Sequence, residues 1–368
     1  MKSILSFLLL ISISVCLFTS CEGDTEPMEI FTDSFDREAM LTGWADEIII
    51  PSLENYMASL QQLSSSTEVF VDAPTDLHLT ELRASYIVAY RAWQRVAMYN
   101  IGKAEEIGLL NFTNVYPTDV ESIDENIITQ DYNFSLPSSY DEQGFPALDY
   151  MLYGIRDNEE EIIAALSEVG ARNYIADLVS NLNRLTEMVL NDWKSDYRTI
   201  FISNSGSSAT ASVDKVVNDF LFYYERYFRA GKIGIPAGVF SGSPIATAVE
   251  APYAGISKEL FVEAFDAVRD FFNGRVGVDS KVISLDDYLM QISEQNQSTD
   301  IASVINDQWN LTAETLEVLS DNFEIQILED NSRMLRTYDE LQVAVILLKV
   351  DMLQALNIQV DFVDADGD

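Results

Sequence analysis

Apolar side chains return every three or four residues through most of this chain, which is the spacing of one buried helical face. Leu82, Tyr86, Trp93 and Ala97 make one such series, and Phe220, Tyr224 and Phe228 a second. Leu260, Phe261, Ala264, Phe265, Val268 and Phe271 continue the pattern within a segment from Ala251 to Phe272. The pattern predicts an all-α protein. A last long helix, Tyr338 to Leu356, is apolar nearly all round and is expected at the centre of a bundle. Two stretches break the rhythm. Asn111 to Pro137 is rich in Asn, Thr, Asp and Pro and reads as a long irregular excursion. Ile358 to Phe362 alternates, which predicts a short strand or an extended tail. Between Ser203 and Ser212 nearly every residue is Ser, Gly, Ala, Asn or Thr, the composition of a flexible connection. A boundary there leaves halves of 30–203 and 212–368, each long enough for a four-helix bundle.

The first residues follow a different logic. Lys2 is followed by an apolar run from Ile4 to Phe18 broken only by serines, and then by Thr19, Ser20 and Cys21. That is a signal peptide, too short to serve as a mature membrane span. Small residues directly before a cysteine are the mark of lipoprotein processing, in which the thiol is acylated before cleavage. Residues 1–20 are therefore read as a lipoprotein signal, Cys21 as the lipidated first mature residue, and 21–29 as an acidic tether. The membrane is then a partner through that lipid, and an outer-membrane, surface-exposed body is expected. Cys16 leaves with the signal, so the mature body can form no internal disulfide.

Charge and composition narrow the chemistry. Sixty acidic against twenty-two basic residues give a net charge of −38, which repels phosphate backbones and excludes nucleic acid as a partner. With 48% hydrophobic residues the chain still folds, so the charge belongs to its surface. A single histidine, His78, cannot supply a zinc site or the helical His pair of common metalloproteases. It lies near a helix start after Pro74 and Thr75, where a first-turn or surface role is expected; no residue is put forward as catalytic. No phosphate-cradling glycine loop is present. What is left is oxygen chemistry from carboxylates, phenols and carbonyls, suited to hard cations including ferric iron. The terminal Asp364, Asp366 and Asp368 resemble the opening of a calcium loop, but no closing ligand follows, and a solvated acidic end is the better reading.

Two clusters stand out. Gly231 to Gly238 follows an aromatic helix and leads to Glu250, Ala251, Pro252 and Tyr253, where turn residues explain the chain reversal. Gly144 to Gly154 reads as a short helix, with Pro146 in its first turn and Gly154 as its stop.

Together with Tyr90-Arg91-Ala92-Trp93, Ser257 and the Val350 to Asp368 stretch, these clusters resemble the imelysin-like family of the peptidase M75 grouping. The resemblance implies two helical-bundle halves packed around a cleft. It also implies a Gly-x-His-x-x-Glu motif for metal binding or peptide cleavage, which here falls on Gly144 to Asp149. Pro146 stands at the His and Asp149 at the Glu, so the imidazole is gone and the acid is one methylene shorter. The expected function is a membrane-anchored protein that binds a ligand in the cleft, linked to iron uptake, through Arg91, Trp93, Gly144, Asp149, Glu250, Tyr253 and Ser257. Asp149 and Glu250 are the expected metal ligands, for iron or another hard cation. The alternatives are an M75-type metallopeptidase with an altered site, or a protein-interaction module with a vestigial cleft.

Overall fold

The computed structural model describes residues 34–362, and from Asp36 onward they cluster as one compact unit. Cys21, the signal and tether segments, and Asp364 to Asp368 lie outside the described residues. The body is all-α apart from a two-stranded antiparallel hairpin that pairs Arg275 with Lys281 and Val276 with Ser280. No helix among the described residues is long and apolar enough to cross a membrane.

Among the helices of the described residues, those that frame the region of interest are α1 (Ile50–Asp72), α2 (Asp76–Gln94), α3 (Val120–Thr129), α4 (Gly144–Asp149), α5 (Val169–Asp192), α6 (Ser212–Phe222), α7 (Ser257–Phe272), α8 (Leu285–Asn296), α9 (Ile301–Glu317) and α10 (Phe323–Ile346). α1 packs on α2 and α5, while α9 packs on α8 and α10. α2 and α7 lie against each other and join the two groups. α2 begins where Thr75 accepts the His78 N–H at 3.2 Å, so one of the open amides of the first turn is satisfied. His78 also bonds the Ala73 carbonyl at 2.6 Å, which fixes it in that first turn. The inner face of α2 carries Leu79, Leu82, Tyr86, Tyr90 and Trp93, all buried at the 3.6-residue period.

Three expectations change. The excursion at 111–137 contains α3, capped by Asp119 and burying Ile123 alone; a single inward residue gives almost no apolar period to read. The segment from 338 to 356 is not central: Leu341, Ala344 and Leu348 are buried, but Val343, Ile346 and Val350 face solvent. Ala251–Ile256 is a turn, and α7 starts at Ser257. The tail at 358–361 forms neither helix nor strand pairing. Asn218 brackets it by donating to the Gln359 carbonyl at 3.0 Å and accepting the Asp361 N–H at 3.1 Å.

Wide, π-type turns recur and flank the region described next. One covers Tyr150–Gly154 directly after α4, and a longer one covers Tyr223–Gly234 directly after α6. Such turns shift the register of a helix face and are common at functional sites. Gly231 and Gly234 thus lie inside helical backbone, and the chain reverses only beyond them.

Candidate functional site

α4 is entered through Gly144, whose φ of +73° and whose position, where a Cβ would lie 2.1 Å from the Thr113 carbonyl oxygen, admit glycine only. This entry buries Phe145, which stacks on Tyr90 with centroids 4.4 Å apart, and points Asp149 into the interior. Asp149 meets the 250–257 turn there. Its Oδ2 accepts the Tyr253 N–H at 2.9 Å; its Oδ1 accepts the Ala254 N–H at 3.0 Å and the Tyr86 hydroxyl at 3.2 Å. Burial raises its pKa to about 7, against the lowering effect of those donors, and the nearby Glu250 charge adds to the rise.

Glu250, at the start of the same turn, sits in a second polar knot. Its Oε1 accepts Gln94 Nε2 at 3.1 Å and Asn114 Nδ2 at 2.8 Å, and its Oε2 pairs with the Lys232 ammonium. Lys232 also donates to Gln94 Oε1 at 2.8 Å. Burial pulls the Lys232 pKa below its ordinary value, while Glu250 opposes the shift. Tyr90 extends the knot by donating to Asn114 Oδ1 at 2.6 Å. Burial, and then the Glu250 charge, push the Tyr90 phenol well up, so it acts as a neutral donor.

The structure therefore brings together Gly144, Asp149, Glu250, Tyr253 and Ser257. Ser257 donates to the Glu250 carbonyl at 2.6 Å and fastens the turn to α7. Tyr253 contributes its backbone N–H, while its exposed ring closes over Gly154, where a Cβ would lie 2.2 Å from that ring. Trp93 is buried against Tyr56 and contacts neither carboxylate among the hydrogen bonds present. Arg91 is elsewhere. It points out of α2 and pairs with Glu263 at 2.8 Å and Glu259 at 3.3 Å on α7. It lines an open groove of about 580 Å³ whose wall includes Gly255, Ile256, Lys258, Glu259 and Asp321. Sequence reasoning missed Tyr86, Gln94, Asn114 and the role of Lys232. Tyr86, Tyr90 and Gln94 recur at four-residue spacing on one face of α2, but that spacing is equally the signature of core.

The donor set does not suit a bound metal. A cation needs several free oxygens, whereas both Asp149 oxygens face N–H or O–H donors and Glu250 faces an ammonium. Among the described residues no group of three or more His, Cys, Asp or Glu is placed to hold a metal ion. With Pro146 at the motif's His position, no imidazole is available either.

The body is all-helical, and in it a short glycine-entered helix is locked to a proline-containing turn through a buried carboxylate. The chain is similar to an imelysin-like protein from Psychrobacter arcticum 273-4 of known structure, with TM-score 0.69 and 19% identity over 89% of this chain and 97% of that one. It is equally similar to the structure of a candidate iron-regulated protein A precursor from Parabacteroides distasonis, with TM-score 0.69 and 16% identity over 85% and 94%. Residues 49–347 match the imelysin family, peptidase M75, and the chain belongs to that family. In sequence it is also 22% identical over 192 residues to iron-regulated protein A of Synechococcus elongatus, and it spans about half of that relative's length.

Proposed function

We propose that this chain is a lipid-anchored binding protein of the imelysin family that works in iron handling without peptidase chemistry. The observation that carries the reading is Asp149. The acid at the motif's last position has its oxygens turned to the Tyr253 and Ala254 amides and to Tyr86, so it holds a turn in place and is not free to activate water. The iron link comes from the names of the relatives, and the groove beside Arg91 supplies the place. Its lining sets Arg91 and Lys258 among Glu259, Glu263, Asp266 and Asp321, and these two cations are the groups that would meet the carboxylate arms of an iron chelate. Cys21 supplies the anchor and keeps the body at the outer membrane.

Calorimetry on the Cys21→Ser body tests this with ferric citrate and with ferric or ferrous salts. The reading expects binding of the chelate, weakened about tenfold by Arg91→Ala, the loss of one charge-assisted contact. Salt binding lost in both Asp149→Ala and Glu250→Ala would instead place bare iron in the buried knot and sink the reading. Peptide hydrolysis abolished by Asp149→Ala would return the chain to the peptidases.

A further inference from the structure

Next to the Lys232–Glu250 pair the packing leaves a small, partly open crevice of about 20 Å³, lined among others by buried Trp93, Tyr223 and Lys232 and by half-buried Asn114 and Tyr116. Two of its walls carry buried polar atoms with no protein partner, Trp93 Nε1 and Tyr223 Oη, on side chains 1% and 3% exposed. An indole N–H or a phenol left unpaired in the interior loses the full cost of its desolvation, so such groups are nearly always satisfied. A third wall is Lys232, whose ammonium has three donors and uses two of them on Gln94 and Glu250. Tyr116 and Tyr223 line the same space as Lys232, and burial first, then the Glu250 charge, pushes both phenols up, so they stay protonated there.

We infer that this space is a binding site for one water molecule, held by Trp93 Nε1, Tyr223 Oη and Lys232 Nζ. The size suffices for one molecule, since a single water needs roughly 10–15 Å³. The chemistry fits as well. The water accepts from the indole and the ammonium and donates to phenol oxygens, which gives it the two to four partners that buried waters make. It ties Trp93 on α2 to Tyr223 and Lys232 on the π-type turn, and so completes the polar knot around Glu250. The two donor-rich walls admit a rival occupant, a halide ion, which the test must separate.

Crystals of the Cys21→Ser body at a resolution that shows ordered waters decide the matter. A single peak within hydrogen-bonding distance of the three atoms is expected in the unmodified body, weakened or lost in Trp93→Phe. Tyr223→Phe serves the same purpose if the tryptophan variant does not fold. Ordered walls with no peak would overturn the proposal. An anomalous peak at that position after a bromide soak would assign the site to an anion instead. In solution, water-oxygen relaxation dispersion should count one fewer long-lived water in the variant, and an unchanged count would contradict the assignment.

Discussion

Asp149 and Glu250 are both removed from water and lie on the two sides of one turn, yet the fold holds them by opposite means. Glu250 faces a buried ammonium and two side-chain amides. Asp149 has no cation among its hydrogen-bond partners, only two backbone N–H groups and a phenol. A charged pair taken out of water survives because each partner offsets the other's desolvation. A lone carboxylate offsets its own by drawing a proton, which is why the pKa of Asp149 rises to about 7. One turn is thus fastened at its start by a fixed pair and three residues later by a group whose charge depends on pH.

The sharpest way to break this contrast is to remove the cation. Lys232→Met leaves Glu250 buried without its counter-charge and should lower the unfolding free energy by about 3–5 kcal/mol. Denaturant unfolding of the soluble body measures it. Lys232→Met combined with Glu250→Leu should recover most of that loss, because no buried charge is then left alone. A loss below about 1 kcal/mol in the single variant, the value of one ordinary hydrogen bond, would show that Gln94 and Asn114 suffice and that the pair is incidental.

The Asp149 pKa rises from 3.8 to about 7 on folding, so the folded state holds the proton more tightly. Its contribution is fully present below 3.8, declines as the pH rises, and is lost through about 7. A gap of about three units corresponds to at most about 4 kcal/mol, lowered by any local relaxation. Asp149→Asn removes this titration at the price of a constant offset from its misplaced amide. The unmodified protein should therefore lose stability relative to the variant between roughly pH 4 and 7. Parallel stability curves over that window would mean that Asp149 does not carry the proton.

The sequence made the helical class legible because buried faces such as Leu79, Leu82, Tyr86 and Tyr90 keep a strict period. The motif frame at Gly144 to Asp149 and the Glu250 turn were also visible as clusters of turn formers and acids. Their meeting was not visible, because Asp149 and Tyr253 are 104 residues apart and no local spacing encodes the contact. The hydroxyls of Tyr86 and Tyr90 were hidden by the same period that revealed α2, since a tyrosine on an inner face reads as core. Lys232 was hidden by its setting between Gly231 and Gly234, which suggested a turn where the backbone runs on as a wide helix. The 338–356 stretch misled in the other direction. Apolar residues on every side predicted a central position, but Val343, Ile346 and Val350 lie on the surface, and composition alone cannot assign a face to each.

Arg91 gives the smallest effect and separates the groove from the knot. It is half exposed and bound to Glu259 and Glu263 in water, where such pairs contribute only about 0.2–1 kcal/mol. Glu263 also keeps Arg95, which pairs with Asp270 as well, so α2 and α7 stay clamped when Arg91 is removed. Arg91→Ala should therefore lower the unfolding free energy by less than about 1 kcal/mol and leave the pH slope assigned to Asp149 unchanged. If chelate binding falls while stability and pH slope hold, the groove acts independently of the buried carboxylates. If the pH slope moves with Arg91, the turn at 253–255 transmits charge between groove and interior, and the two regions form one site.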